Sequence, residues 1–300
     1  MMFERILVPL DGSEISETAI QYAEELAKAF GSEIVLYNAH LEDHRHEEHM
    51  HRVYLEGLAA SVQESVNRGG GTATAVKVTT MVEAGEPAAN ICNLVDTNKF
   101  DLIVMTAVSA AGLKVGKMLG SAADHVCRTV PIPVLLVRPR NVNRTDGGER
   151  LINRLLIPVD GSALSNLALP VGEELAAKLK ASVTLFQMAR MIRVYDDGVA
   201  FSSYVNYTEF DEAEKARVSA EMSALEDTLK GRGLKASSIV TSGLDAAGEI
   251  IEVGKKVGAD LVVMSTHGRS GPSRWVLGNV AERVLRHGET PLLLVHARAS

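Results

Sequence analysis

Arg5-Ile6-Leu7-Val8-Pro9-Leu10-Asp11-Gly12-Ser13 returns in the second half of the chain as Arg154-Leu155-Leu156-Ile157-Pro158-Val159-Asp160-Gly161-Ser162. Both copies are short apolar runs closed by an acidic turn, the pattern of a buried parallel strand feeding a loop. Further blocks repeat in the same order. Glu24-Glu25-Leu26-Ala27 is echoed by Glu173-Glu174-Leu175-Ala176, Asp101-Leu102-Ile103-Val104-Met105 by Asp260-Leu261-Val262-Val263-Met264, and Pro133-Val134-Leu135-Leu136-Val137 by Pro291-Leu292-Leu293-Leu294-Val295. Matched blocks in one order mean a duplicated domain. The polar, turn-rich stretch between them places a linker at 141–150, with domains at 1–140 and 151–300.

Within the first copy, strands and helices alternate. Strand 5–10 leads to a helix over 16–30 with Ser16 as its cap, and strand 33–39 to a helix over 47–66 with Leu55, Leu58, Val62 and Val66 on one face. Strand 75–82 is followed by Gly85-Glu86-Pro87, which opens a helix to 97 with Pro87 in its first turn. Strand 102–106, a loop, a helix from 121 and strand 133–137 complete the unit. Such alternation predicts a parallel sheet with helices on both faces and ligands at the carboxyl ends of the strands.

The 300 residues are enough for two domains with cores of their own, and 46% hydrophobic with 23% charged residues is ordinary globular composition. A formal charge of −7 with no basic stripe argues against nucleic acid. No apolar run approaches a membrane span, and Met1 to Arg5 leads straight into a strand. Cys92 and Cys127 sit apart in helical patterns, which favours buried thiols in a reducing cytoplasm.

The chemistry-bearing stretch is Ser265-Thr266-His267-Gly268-Arg269-Ser270-Gly271-Pro272-Ser273-Arg274-Trp275-Val276-Leu277-Gly278-Asn279, between the strand 261–264 and a helix that opens at Gly278-Asn279. Small residues let backbone amides approach an anion, and unpaired amides at a helix start attract phosphate. Each favourable charge contributes roughly 0.3–1 kcal/mol, so several donors must converge on a polyphosphate. A tight turn with no ligand is the competing reading.

This corner resembles the phosphate loop of the universal stress protein family, Gly-x2-Gly-x9-Gly-Ser/Thr, with Ser265, Gly268, Gly278 and Asn279 at its positions. Ser265 and Asn279 depart from the pattern as small polar residues. With the duplication, the resemblance covers nearly the whole chain and implies two tandem flavodoxin-like α/β domains, each with a five-stranded parallel sheet and helices on both faces. It further implies ATP or AMP as ligand. In the second copy, Pro158 and Asp160 would border base and ribose, with Asp160 accepting a ribose hydroxyl or assisting a divalent cation. Met188 would present its backbone to the adenine edge, while Ser265, Gly268, Gly278, Asn279 and Val280 would surround ribose and phosphates. Arg269 would either neutralise phosphate or lie on the surface. For Asp160 a plain Asx-turn with Gly161-Ser162 stays open. The last strands of the copies would pair antiparallel as an internal pseudo-dimer, with a further homodimer and an unidentified protein partner open.

The first copy is the poorer match. Counting back from Gly120-Ser121 places Ala110 and Ala107 at the outer glycine positions, where a Cβ crowds the phosphate. Pro9, Asp11, Ala39, Gly120 and Ser121 then form a degenerate site that binds nucleotide weakly or not at all, and the second copy is the occupied one.

Five of the nine histidines, His40, His44, His46, His49 and His51, cluster in one stretch. His40/His44 at i, i+4 and His46/His49 at i, i+3 could align in pairs on a helix toward zinc, nickel or copper, with His44, His46 and His49 as candidate ligands; a solvated helix start is the alternative. The long connection 189–208, with Tyr195, Phe201, Tyr204 and Tyr207, reads as a lid, a partner patch or aromatics packed on their own domain. No Walker sequence, nucleophile elbow or Ser/His/Asp arrangement is present. The functional expectation is a cytoplasmic, adenine-nucleotide-binding stress protein that is at most a slow ATPase. The alternative is a nucleotide-free interaction or metal-responsive module built on residues 40–51.

Overall fold

The computed structural model describes residues 2–40, 48–67, 76–109, 112, 119–138, 150–191, 207–268 and 277–296. In the first half, β1 (Arg5–Pro9), α1 (Glu14–Phe30), β2 (Glu33–His40), α2 (Glu48–Asn67), β3 (Val78–Ala84), α3 (Pro87–Asn98), β4 (Leu102–Thr106), α4 (Ser121–Thr129) and β5 (Val134–Val137) follow one another. The second half repeats the series as β6 (Arg154–Pro158), α5 (Ala168–Leu179), β7 (Ser182–Arg190), α6 (Tyr207–Gly231), β8 (Ala236–Gly243), α7 (Ala246–Val257), β9 (Leu261–Ser265), α8 (Asn279–His287) and β10 (Leu292–Val295). A short 3-10 turn, Ser165–Leu167, precedes α5.

Local chemistry explains the boundaries. Ser13, not Ser16, caps α1: its side chain accepts the Ser16 amide at 3.2 Å, while Ser16 is buried and its hydroxyl turns back to the Ser13 carbonyl. Gly31 ends the helix at φ 74°, a conformation that costs glycine little. Glu86 caps α3 ahead of Pro87, and Asp245 caps α7. Val218, Met222 and Leu229, at helical spacing, are buried on the inner face of α6, with Leu225 half-buried beside them.

The ten strands form one sheet in the order β3-β2-β1-β4-β5-β10-β9-β6-β7-β8. Every pairing is parallel except the central one, where β10 lies antiparallel to β5 with Leu293 opposite Leu135. Alternation along the strands sends Ile6 and Val8 into one apolar layer with α1, α2, α5 and α6, and Leu7 into a second with α3, α4, α7 and α8. Both layers run through both halves. Strand order reverses between β1 and β4 and between β6 and β9, so each half has a crevice at the carboxyl ends of those strands.

The join between the halves is polar as well as apolar. Arg138, just past β5, is 2% exposed and donates from Nη2 to the Leu285 carbonyl of α8 at 2.6 Å. Its counterpart past β10, His296, meets the Cys127 carbonyl of α4 through Nε2 at 2.8 Å. Burial lowers the Arg138 guanidinium to about 10 and lowers the His296 imidazole below its ordinary value. On the opposite layer, Glu25 of α1 accepts the Leu151 and Ile152 amides at 2.6 and 3.2 Å.

Burial raises the Glu25 carboxyl above its ordinary 4.5, so the folded chain holds that proton where the unfolded chain has released it. Its contribution to stability is greatest below 4.5 and declines as pH rises through and above that value. Glu25→Ala strands two amides and is expected to cost ~1–3 kcal/mol in urea denaturation. The variant should also flatten the decline; a wild-type pH profile retained in the variant contradicts the assignment.

Candidate functional site

A cavity of about 300 Å³ lies over the second crevice, lined among others by Pro158, Asp160, Met188, Ser265, Gly268 and Gly278. The first crevice holds one of about 190 Å³, lined by Pro9, Asp11, Ala39, Gly120 and Ser121 among others.

Asp160 follows β6 and divides its carboxylate between two tasks. Oδ1 accepts the Ser162 amide at 2.9 Å, the Asx-turn, and the Asp160 amide is held by the Ser165 hydroxyl at 3.1 Å. Oδ2 faces Gly268, where a Cβ would stand 2.4 Å away. The turn therefore presents the acid to the cavity, and Gly268 is glycine because the carboxylate fills the space of a side chain.

Helix α8 begins at Gly278, whose amide donates to the Thr266 carbonyl at 2.9 Å and so fastens the helix to the end of β9. Gly278, like Gly120 at the start of α4, has no side chain to cap its helix, in contrast to the cap residues of α1, α3 and α7, and the opening residues Asn279, Val280 and Ala281 line the cavity. Free amides at a helix start, with the positive end of the helix dipole, have the chemistry to hold an anion. Ser265 lines the same space, but its hydroxyl accepts the His267 amide at 3.3 Å, which fixes the loop. His267 in turn meets the Thr266 hydroxyl through Nδ1 at 3.0 Å.

Strand spacing sets the long axis of the cavity. The start of α8 stands over β9, Asp160 over β6, and Met188 and Arg190 over β7, each strand about 4.8 Å from the next. Phe186, Arg190 and Ile250 also line the cavity and were not singled out by sequence. The signal for Arg190 was the strand period of two, which puts it on the same face as Met188. Arg190 also borders an adjoining cavity of about 260 Å³ with Met191, Leu244 and Arg283.

The first half differs in register. The Ala107 amide donates to Val137 as the Thr266 amide donates to Val295, and Gly120 bonds the Ala107 carbonyl as Gly278 bonds that of Thr266. Ala107 thus corresponds to Thr266, not Ser265, and Ser109 stands where the second half has Gly268. Counting back from the helix misplaces both alanines because the first loop is one residue longer. Asp11 is exposed, its Oδ1 held by the amide and hydroxyl of Ser13 at 3.0 and 2.5 Å.

Arg269, His44, His46 and the aromatics Tyr195, Phe201 and Tyr204 lie outside the described residues. His49 is exposed on α2, and His40 stacks on His51 with ring centres 5.8 Å apart. Among the described residues no three His, Cys, Asp or Glu side chains are grouped to hold a metal ion, and no helix is long and apolar enough to cross a membrane.

The model of the family described as the universal stress protein family matches residues 2–138 and again 152–296. The chain belongs to the universal stress protein family. Curated relatives are single-repeat matches. Universal stress protein MJ0531 of Methanocaldococcus jannaschii is 29% identical over 148 residues, 49% of this chain and 84% of that protein. Universal stress protein YxiE of Bacillus subtilis is 27% identical over 148 residues, 48% of this chain and 99% of its own. A universal stress protein from Archaeoglobus fulgidus has a crystal structure that superposes over 99% of both chains, with a TM-score of 0.68 and 19% identity. A protein of unknown function from Pseudomonas aeruginosa covers 99% of this chain and 93% of its own, with a TM-score of 0.71 and 18% identity. These likenesses establish a tandem universal stress protein fold.

Proposed function

We propose that this universal stress protein binds an adenine nucleotide, ATP or AMP, chiefly in its second half, as a regulatory or protective binding protein in a stress response. The halves are residues 1–140 and 151–300, joined by 141–150. The observation that carries the reading is the convergence of Asp160 Oδ2, Gly268 and the uncapped start of α8 on the larger cavity. Phosphates would lie over β9, ribose beside Asp160 and the base near Met188. Asp160 is the one acidic side chain among the described residues that line this cavity, so a divalent cation would be shared between it and the phosphates. Occupancy would alter the loop and helices around the cavity and thereby a surface seen by a protein partner.

Calorimetric titration of the full chain tests the reading. Asp160→Ala is expected to weaken ATP binding about tenfold, the scale of a lost charge-assisted hydrogen bond, and Asp11→Ala by less than about twofold. Equal losses, or a larger one for Asp11→Ala, would overturn the assignment to the second half.

A further inference from the structure

The two helices that open onto the cavities meet each other through charge. Asp124 and Arg128 of α4 occupy the same positions as Glu282 and Arg286 of α8. Each pair is bridged within its helix, Arg128 to Asp124 at 3.1 Å and Arg286 to Glu282 at 3.1 Å. The pairs also cross between the halves: Arg128 Nη2 donates to Glu282 Oε1 at 3.0 Å, and Arg286 Nη2 to Asp124 Oδ1 at 3.4 Å. The four side chains close a ring of alternating charge, each a quarter to under a half exposed.

Glu282 lies in the first turn of α8, next to the uncapped amides of the second cavity. An acid there suits the helix dipole, yet it opposes an anionic ligand about one turn away. Two cations offset it, one from its own helix and one from the other half. The Arg128 hydrogen bond is the leading cause that holds the Glu282 carboxyl below its usual range, with that of Arg286 next. Arg128 itself lines neither cavity.

We propose that Arg128, in the first half, is a positioning and charge-compensating residue for the anion site of the second half, acting through Glu282. The proposal rests on the nucleotide reading of that cavity. A merely structural ion pair would affect every ligand alike. Compensation of a carboxylate scales with ligand charge and fades with salt.

The test is titration of the full-length protein with ATP, AMP and adenosine at low and at high salt. At low salt Arg128→Ala should weaken ATP about five- to tenfold, AMP about two- to threefold, and adenosine hardly at all. Arg128→Lys should recover most of the loss. Glu282→Gln, which removes the acid, should tighten ATP about two- to fivefold and AMP less, and Arg128→Ala/Glu282→Gln should bind ATP more tightly than Arg128→Ala alone. Salt of about 0.5 M should erase these differences. If Arg128→Ala does not fold, the gain in Glu282→Gln decides. Wild-type protein that binds none of the three ligands overturns the nucleotide reading and this proposal with it. Wild-type binding with variants that are unchanged, or that shift all three ligands equally, overturns this proposal alone.

Discussion

Gly268→Ala is expected to reduce ATP affinity at least roughly tenfold in calorimetric titration of the full chain, with little change in its melting temperature. The added methyl would stand 2.4 Å from Asp160 Oδ2 and 3.3 Å from its Cγ, so one side must give way. Asp160 is not free to retreat, because Oδ1 takes the Ser162 amide and the Asp160 amide is tied to Ser165. Either the turn breaks or the loop lifts from the carboxylate. Each course displaces donors from the ligand. The effect on folding is small because Gly268 sits on the cavity rim, outside both apolar layers. Unchanged ATP affinity in this variant would show that the Asp160–Gly268 contact plays no part in binding.

The largest loss of stability is expected from Asp260→Ala, about 3 kcal/mol in urea denaturation followed at the second half. Asp260 is 5% exposed, and Oδ2 accepts the Asn153 and Arg154 amides at 3.1 and 3.0 Å while Oδ1 meets the Arg154 guanidinium at 3.3 Å. It locks the chain entering β6 to the start of β9, the two strands that flank the crevice. Removal takes the acceptor from two part-buried amides and leaves a void where the buried Asp260 side chain stood. The first half carries the same device in Asp101, whose Oδ2 accepts the Glu4 and Arg5 amides at 3.1 and 3.0 Å. Asp101 is only half-buried, and water can replace the lost acceptor there, so Asp101→Ala should cost about half as much. Equal costs would mean that burial does not set the penalty.

The architecture was legible because repeats and apolar runs are written in the chain itself. The blocks around Asp11 and Asp160, and the runs Leu102–Thr106 and Leu261–Ser265, mark the strands and the duplication, while the antiparallel pairing of the last strands follows only from the family resemblance. Errors arose where several residues could play one part. Ser13 and Ser16 both suit a helix cap, and only the hydrogen bonds show that Ser13 takes it. In the first half one extra residue between Ala107 and Gly120 leaves no mark in a stretch of small side chains, so spacing back from Gly120-Ser121 points one position off. The crossed pairs Arg128–Glu282 and Arg286–Asp124 were not legible at all. Each looks like an ordinary i,i+4 pair on its own helix, and nothing in the sequence says the helices face one another.

Arg138 and His296 hold the same place on either side of the join, yet one is a guanidinium and the other an imidazole. Were this assembly made of two identical chains, any substitution at that place would arise twice, and a change good for one side would be forced on the other. Carrying both copies on a single polypeptide lifts that restriction. One copy can keep a demanding task while its twin drifts into a supporting one, and the pair still folds as a unit.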